Sequence, residues 1–519
     1  MENRLVAIVE IGSTGIRLLV AEIYGMNWRI LDRAGRPAVL GRDVFTSGEL
    51  SRESFLECLS VLHSYRELLN GWGIANENIH VIATSALRVA RNRDVFIDRI
   101  QQETGFAVTI VEGIEENRLM YLAVRFALKQ DIPQFWRTNS MIMEIGGGST
   151  EIMLLRRGQM VAAHSIKLGT IFIDQQSKLK IGASPERFLS ENIRNTSGLL
   201  NSEMDLASVR SLAAAGSDAR LAAEHAGSDL NENCKIINRE DFFAFAQRVR
   251  SYSIEDCVDK LHISFADAEG FIPGIMVLKL FLEQTNAARL VVPLVSIREG
   301  YLIDLAQGVD SDLQEEFFSQ IIASAVSLGR RFHYDELHSR HVTDLCLTIF
   351  DALVKEHGMN RRQRMMLETA GILHDIGMFI KGSGHQKHGQ YIVENSEIFG
   401  LHRDEINIIA NVIRYHRGDP PSESDIGYIS LQREDRILVL KMASILRVAD
   451  ALDRGHSQHI KKISLDRRSE TLVIQTHAPI QSGGEHYAAQ PLDTSLERIG
   501  LEEKAGLFQD VFGYKVVLN

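Results

Sequence analysis

The sequence predicts an α/β protein that continues into an all-helical region and closes with a small α/β appendage. Three observations lead there. Apolar strand-like runs alternate with helical patterns over the first 310 residues or so; an acidic, glycine-rich hairpin occurs twice, in "VAIVEIGSTGIRLLVAEI" and "MIMEIGGGSTEIMLL"; and beyond Leu313 the strand signal gives way to amphipathic runs closed by glycine.

The elements follow in order. Residues 1–130 read as strands "LVAIVEI", "IRLLVAEIYG" and "WRILDRA", a helix through "RESFLECLSVLHSYRELLNGWG", strand "IHVIATSA", helix "RDVFIDRIQQETG" and strand "AVTIVEG". Residues 131–310 repeat the theme with "SMIMEIGG", "TEIMLLRRGQ" and "MVAAHSIKLG", then helices, "VRSLAAAGS" and "ARLVVPLVS". The shared opening hairpin suggests two similar lobes. In residues 311–457, "HSRHVTDLCLTIFDALVKEHG" spaces Val342, Leu345, Ile349 and Leu353 for one helical face and stops at Gly358. Residues 458–519 return to strand-like alternation in "HIKKISLDRRSETLVIQTH" and end on a strand. A chain of 519 residues fits several domains of about 100–200 residues each.

Composition narrows the function classes. Four cysteines stand apart without a CxxC pair, which argues against a disulfide framework or a thiolate zinc site and fits a reducing, cytoplasmic setting. No apolar run approaches the roughly 18 residues of a membrane span, so no membrane partner is expected. A net charge of −11 without a basic tail gives no reason to expect a nucleic-acid partner, and any phosphate-chain ligand needs a locally basic or amide-lined site.

The duplicated hairpin supplies such a site. Small residues at a turn let backbone N–H groups and hydroxyls converge on a phosphate, which makes Gly12, Ser13 and Thr14 in one hairpin and Gly146, Gly147, Gly148, Ser149 and Thr150 in the other candidate phosphate-binding residues. Glu10 and Glu144 end the preceding strands, where a carboxylate can hold Mg²⁺ against phosphoryl oxygens. In "VIATSALRVARN" a strand ends at Thr84 and a helix follows, so Thr84 and Arg88 can meet an anion. In "VEGIEENRLMYLAV", Glu116 in a first helical turn is a candidate to orient or deprotonate an attacking water.

The stretches "EIGSTGIRLLV", "ATSALRVARN", "EGIEENRLMYLAV", "EIGGGSTEI", "KLGT", "AAAGSDAR" and "REGYLIDL", in this order, resemble the exopolyphosphatase/guanosine pentaphosphate phosphohydrolase family. The resemblance implies two actin-like (ribonuclease H-like ATPase) lobes and Mg²⁺-dependent release of a terminal phosphate from polyphosphate or pppGpp. It also implies Glu116 as the catalytic carboxylate, Arg88 as a phosphate-binding base, residues 146–150 as the second phosphate loop, Glu151 as the acid closing it, and a homodimer. This chain departs from the family in carrying Glu10 and Glu144 where Asp is usual, and Thr14-Gly15 where Asn-Ser is common. Each Glu reaches one C–C bond farther, and a shift on the order of 1 Å can cost a catalyst roughly a hundredfold.

The helical region holds a second candidate centre. His374 and Asp375 adjoin in "LHDIG", with His341, His388, His416 and Asp450 on surrounding helices. Imidazoles and carboxylates together suit a divalent ion such as Mn²⁺, Fe²⁺ or Mg²⁺ that activates water. The pattern resembles the HD-domain phosphohydrolases, which implies His341, His374, Asp375 and Asp450 as metal ligands, with His388 and His416 as extras for a second metal. Three readings stay open from sequence: a front-cleft hydrolase, a polyphosphate- or (p)ppGpp-binding regulator, and a hydrolase whose main centre is helical.

Overall fold

The computed structural model describes residues 3–38, 40–128, 131–179, 185–307, 312–477 and 493–519. The chain divides into two compact units, Met1–Phe317 and Phe318–Asn519.

The first unit contains two sheets. Strands β1 (Arg4–Ile11), β2 (Gly15–Tyr24), β3 (Asn27–Pro37), β4 (Ile79–Ala83) and β5 (Val108–Ile110) form one, in the order β3-β2-β1-β4-β5. Strands β6 (Ser140–Ile145), β7 (Thr150–Arg156), β8 (Gln159–Ile166), β9 (Ser211–Ala215), β10 (Ser228–Asn231), β11 (Cys234–Asn238) and β12 (Arg289–Pro293) form the other, in the order β10-β11-β12-β9-β6-β7-β8. In each sheet an antiparallel three-strand meander (β1-β2-β3, β6-β7-β8) leads into two parallel strands (β4-β5, β9-β12). The central strands are covered on both faces, which is why "VAIV" at Val6–Val9 is a continuous apolar run, with every one of its residues buried.

The duplication reaches single residues. Glu10 pairs with Arg17 across the first hairpin, and Glu144 with Glu151 across the second. Gly12 N–H donates to Gly15 O at 3.0 Å, and Gly146 N–H to Ser149 O at 2.9 Å. Even the bulge recurs: the register slips between Val20 and Ala21 on β2 and between Leu154 and Leu155 on β7, the same distance from each turn. Each sheet has its own buried core, one running from Ala7 to Phe106 and one from Met141 to Val292. The hairpin β10-β11 extends the second sheet at its edge and escaped the sequence reading, because "SDLNENCKIIN" is too polar to show alternation.

The second unit is built on the helices Glu336–Ala352, Arg361–Leu373, His385–Glu394, Arg403–Tyr415 and Arg433–Ala451. Val342, Leu345, Ile349 and Leu353 are buried as their spacing predicts, and Gly358 closes the run in the left-handed conformation at φ 63°. Asp335 and Asn360 cap helices from their side chains, and Gln363 completes a capping box with Asn360. A three-stranded sheet follows, β13 (Lys462–Arg468), β14 (Thr471–His477) and β15 (Lys515–Leu518), with helices Ser495–Lys504 and Gly506–Phe512. No helix among the described residues is long and apolar enough to cross a membrane.

Candidate active site

The two duplicated turns meet. A Cβ on Gly147 would lie 2.8 Å from Ser13 Cβ, and one on Gly148 would lie 2.8 Å from Ser85 Oγ and closer still to the Phe45 ring. Behind them Gly169 packs on the second turn so closely that a Cβ there would strike the backbone of Gly148. Ser13 and Ser85 share a hydrogen bond at 2.9 Å, tying the first turn to the start of the short helix Ser85–Val89. A cleft opens beside this contact, lined by Glu10, Gly12, Ser13, Thr14, Thr84, Glu116, Glu144, Gly146, Gly147, Ser149 and Glu151 among others.

The wall is strongly acidic, with three arginines among the acids. Glu10, Glu116, Glu144, Glu151, Asp218 and Asp267 face Arg17, Arg220 and Arg298. Arg298 Nε is 3.1 Å from Glu10 and Arg17 is 3.8 Å from it. Glu151 accepts from Ser149 Oγ and Ser165 Oγ at 2.8 Å and from Asn117 Nδ2 at 3.2 Å. Glu116, in the first turn of Gly113–Leu128, is held by Arg88 at 2.6 Å. Glu144 has neither a hydrogen bond nor an ion pair among the described residues. Burial, then the neighbouring Glu116 and Glu10, pushes its carboxyl up to about 8. Burial also raises Glu116, against the opposing pull of Arg88, and raises Glu151 well above the usual range. Buried, mutually repelling carboxylates of this kind fit a hard, oxygen-seeking cation such as Mg²⁺. Among the described residues, no three of them bring oxygen atoms within 4.8 Å of one another.

The second unit contains a tighter cluster. Each of four buried imidazoles is anchored through Nδ1: His374 to Gly371 O at 2.7 Å, His416 to Ile413 O at 2.7 Å, His385 to Gly382 O at 2.9 Å, and His338 to Asp453 at 2.8 Å. Carbonyl and carboxylate oxygens only accept, so Nδ1 carries a proton in each ring and Nε2 is the nitrogen turned inward. These Nε2 atoms meet in pairs, His338 with His374 at 3.2 Å and His385 with His416 at 3.3 Å. Two lone pairs facing at that separation need a proton or a cation between them, and it is the span of two nitrogens on one ion at about 2.1 Å. Asp375 sits between the pairs. Its Oδ2 is 3.8 Å from both His338 and His374, while its Oδ1 is 3.0 Å from His385 and 3.7 Å from His416. Asp450 Oδ1 faces the first pair at 3.7 and 4.0 Å. The donor set fits two divalent ions sharing the Asp375 carboxylate.

The profile of the Ppx/GppA phosphatase family matches residues 19–308, more than half of the chain, and that of the family's domain III matches residues 322–494. The chain belongs to the Ppx/GppA phosphatase family. Similar full-length relatives include the guanosine-5'-triphosphate,3'-diphosphate pyrophosphatase of Pseudoalteromonas atlantica, 24% identical over 461 residues (86% of this chain, 87% of the relative). The protein of the same name from Aliivibrio fischeri is 22% identical over 526 residues, covering 99% of this chain and 97% of the relative. The crystal structure of an exopolyphosphatase from Cytophaga hutchinsonii shares the fold at a TM-score of 0.54 and 18% identity, over 59% of this chain and 99% of that one.

Against the family pattern read from sequence, several residues sit elsewhere than expected. Arg88 does not line the cleft; the five-residue helix turns it back onto Glu116 and Val111 O. Thr150 gives its hydroxyl to Leu168 O at 2.6 Å, and Gly148 serves the packing of the turn, so neither lines the cleft. His341 and His388 lie outside the histidine cluster, and His338 and His385, each one helical turn earlier, stand in their places. The Nε2 of half-buried His341 is itself buried and has no hydrogen-bond partner among the described residues. Sequence reasoning also passed over Arg17, Arg220 and Arg298. Arg17 was findable, since the hairpin register puts it opposite Glu10.

Proposed function

We propose that this Ppx/GppA phosphatase releases the terminal phosphate from inorganic polyphosphate or from guanosine 5'-triphosphate 3'-diphosphate in the cleft of its first unit. The observation that carries this reading is the contact of two equivalent glycine-rich turns beside the buried Glu116, with the arginines Arg17, Arg220 and Arg298 across from the acids. Backbone amides and hydroxyls of residues 12–14 and 146–149 bind the terminal phosphates, and the arginines take up their charge. Glu144, with Glu10 and Glu151, would hold Mg²⁺, which when bound offsets the charge of the acids and of the phosphoryl oxygens. Glu116 orients a water in line with the terminal phosphorus. It accepts the water's proton as the new P–O bond forms, and the old anhydride P–O bond breaks to leave the shortened chain. Arg88 positions Glu116 from behind. The names of the similar pyrophosphatases and of the solved exopolyphosphatase agree with both substrate classes. The reading places the protein in the cytoplasm as a homodimer, on two actin-like lobes followed by an HD-type helical domain. Glu116→Gln, assayed for phosphate release from both substrates, tests it: loss of turnover supports the assignment. An unchanged rate would leave the first unit as a nucleotide- or polyphosphate-binding regulator.

A second hydrolytic centre in the helical unit is favoured by a separate observation, the four inward Nε2 atoms bridged by Asp375. His338, His374, Asp375 and Asp450 would hold one divalent ion, and Asp375, His385 and His416 the other. Metal content of the purified chain, compared with Asp375→Ala, tests this reading: two ions lost in the variant support it, and none bound in the wild type rejects it.

A further inference from the structure

We propose that Lys504 is a phosphate-binding residue of the histidine centre, its ammonium donating to an oxygen of a phosphoryl group seated at the paired cation positions. The inference rests on the second reading above. Lys504 ends the helix Ser495–Lys504, far along the chain from the histidines, yet its Nζ is bonded to Asp450 Oδ2. The two oxygens of Asp450 therefore divide their work, with Oδ1 toward His338 and His374 and Oδ2 toward the lysine. That leaves the ammonium one carboxylate away from the inward Nε2 atoms. Its side chain is 15% exposed, so the ammonium is not fully closed off from solvent.

The backbone is fixed to hold it there. Arg447 Nε donates to Lys504 O at 2.9 Å, while Arg447 Nη1 donates to Tyr415 O at 3.2 Å and to Gly418 O at 2.9 Å. One guanidinium thus joins the end of the lysine's helix to the segment on both sides of His416. Two divalent ions would hold a phosphoryl group through some of its oxygens. The remaining oxygens face away from the ions and need a donor, which a lysine supplies as a compact point charge. A lysine that only neutralised buried Asp450 would lose that task once a cation occupied the other side of the carboxylate.

The test uses the full chain loaded with Mn²⁺. Metal content is read by mass spectrometry and inorganic-phosphate binding by calorimetry, with Asp375→Ala as the baseline for phosphate bound in the first unit. The wild type should hold two more Mn²⁺ than Asp375→Ala and show additional phosphate binding. Lys504→Met should keep the metal and weaken that additional binding by about tenfold or more, and Lys504→Arg should restore most of it. Unchanged phosphate binding in Lys504→Met, or joint loss of metal and phosphate, would reduce Lys504 to a counter-ion of Asp450 and overturn the proposal. Absence of extra Mn²⁺ in the wild type would reject the metal reading itself, and the proposal with it. Should Lys504→Met fail to fold, a crystal structure of the wild type with Mn²⁺ and phosphate decides: Nζ within about 3.2 Å of a phosphate oxygen supports the proposal, and Nζ bonded to Asp450 alone rejects it.

Discussion

His338 Nε2 and His374 Nε2 stand 3.2 Å apart, with both rings anchored through Nδ1 so that their other nitrogens face each other. The anchors lie on different parts of the chain, Asp453 for one ring and Gly371 O for the other, so the pair is formed by the fold of the whole helical unit. Replacing His338 or His385 by Ala should each remove divalent metal from the purified chain, whereas His341→Ala and His388→Ala should leave its metal content unchanged. Metal analysis of the four variants checks this.

Metal uptake should fall on acidification, with His338 setting the pH. Burial alone would lower this imidazole, but the Asp453 hydrogen bond and the Asp450 and Asp375 carboxylates outweigh it, and its pKa is raised above 6.5. Below that raised value a proton competes with the ion, so apparent affinity should drop by up to tenfold per pH unit for this group. His416, lowered to about 3 by burial and then by His374, stays neutral throughout. Asp453→Asn should shift the transition to lower pH, as read from Mn²⁺ isotherms between pH 5 and 8. The metal-free protein carries the opposite sign. Protonated His338 stabilises the fold below about pH 6.5, and this contribution is lost as pH rises through the raised value.

Gly169→Ala should damage the first unit without touching its charges. The new Cβ would lie 2.3 Å from backbone atoms of Gly148, which cannot rotate away. A cost of about 1–3 kcal/mol is expected, visible as a lower melting temperature, together with a raised KM for polyphosphate as the second turn shifts.

The longer acids give a further test. Among the described residues Glu144 makes no hydrogen bond or ion pair while Glu10 is tied to Arg298, so Glu144→Asp and Glu10→Asp should behave differently. Glu144→Asp should change the Mg²⁺ requirement. Glu10→Asp should in addition loosen Arg298, seen as weaker substrate binding in KM. Equal effects of the two on KM would show that the Arg298 contact carries no load in binding.

The front cleft was largely legible in the sequence because its parts are local. A strand, a carboxylate and a small-residue turn recur within a dozen residues, and the hairpin register fixes what faces what. The histidine centre was legible in kind but not in detail. His338 and His341, and likewise His385 and His388, are three residues apart on one helix, so each pair shares a face. Periodicity cannot choose between such neighbours. The choice is made by remote groups, Asp453 for His338 and Asp375 for His385, which only the fold brings close. Arg298 was missed for the same reason, since it reaches Glu10 from the far end of the unit.

The central claim is that phosphate release occurs beside Glu116 in the first unit, and the direct measurement is release of phosphate from pppGpp and from polyphosphate by Glu116→Gln and Asp375→Ala, assayed side by side with Mg²⁺. The account predicts that Glu116→Gln lowers kcat on the order of 10²–10⁴-fold with little change in KM, while Asp375→Ala keeps the wild-type rate. An active Glu116→Gln beside an inactive Asp375→Ala would contradict it and move the chemistry to the histidine centre.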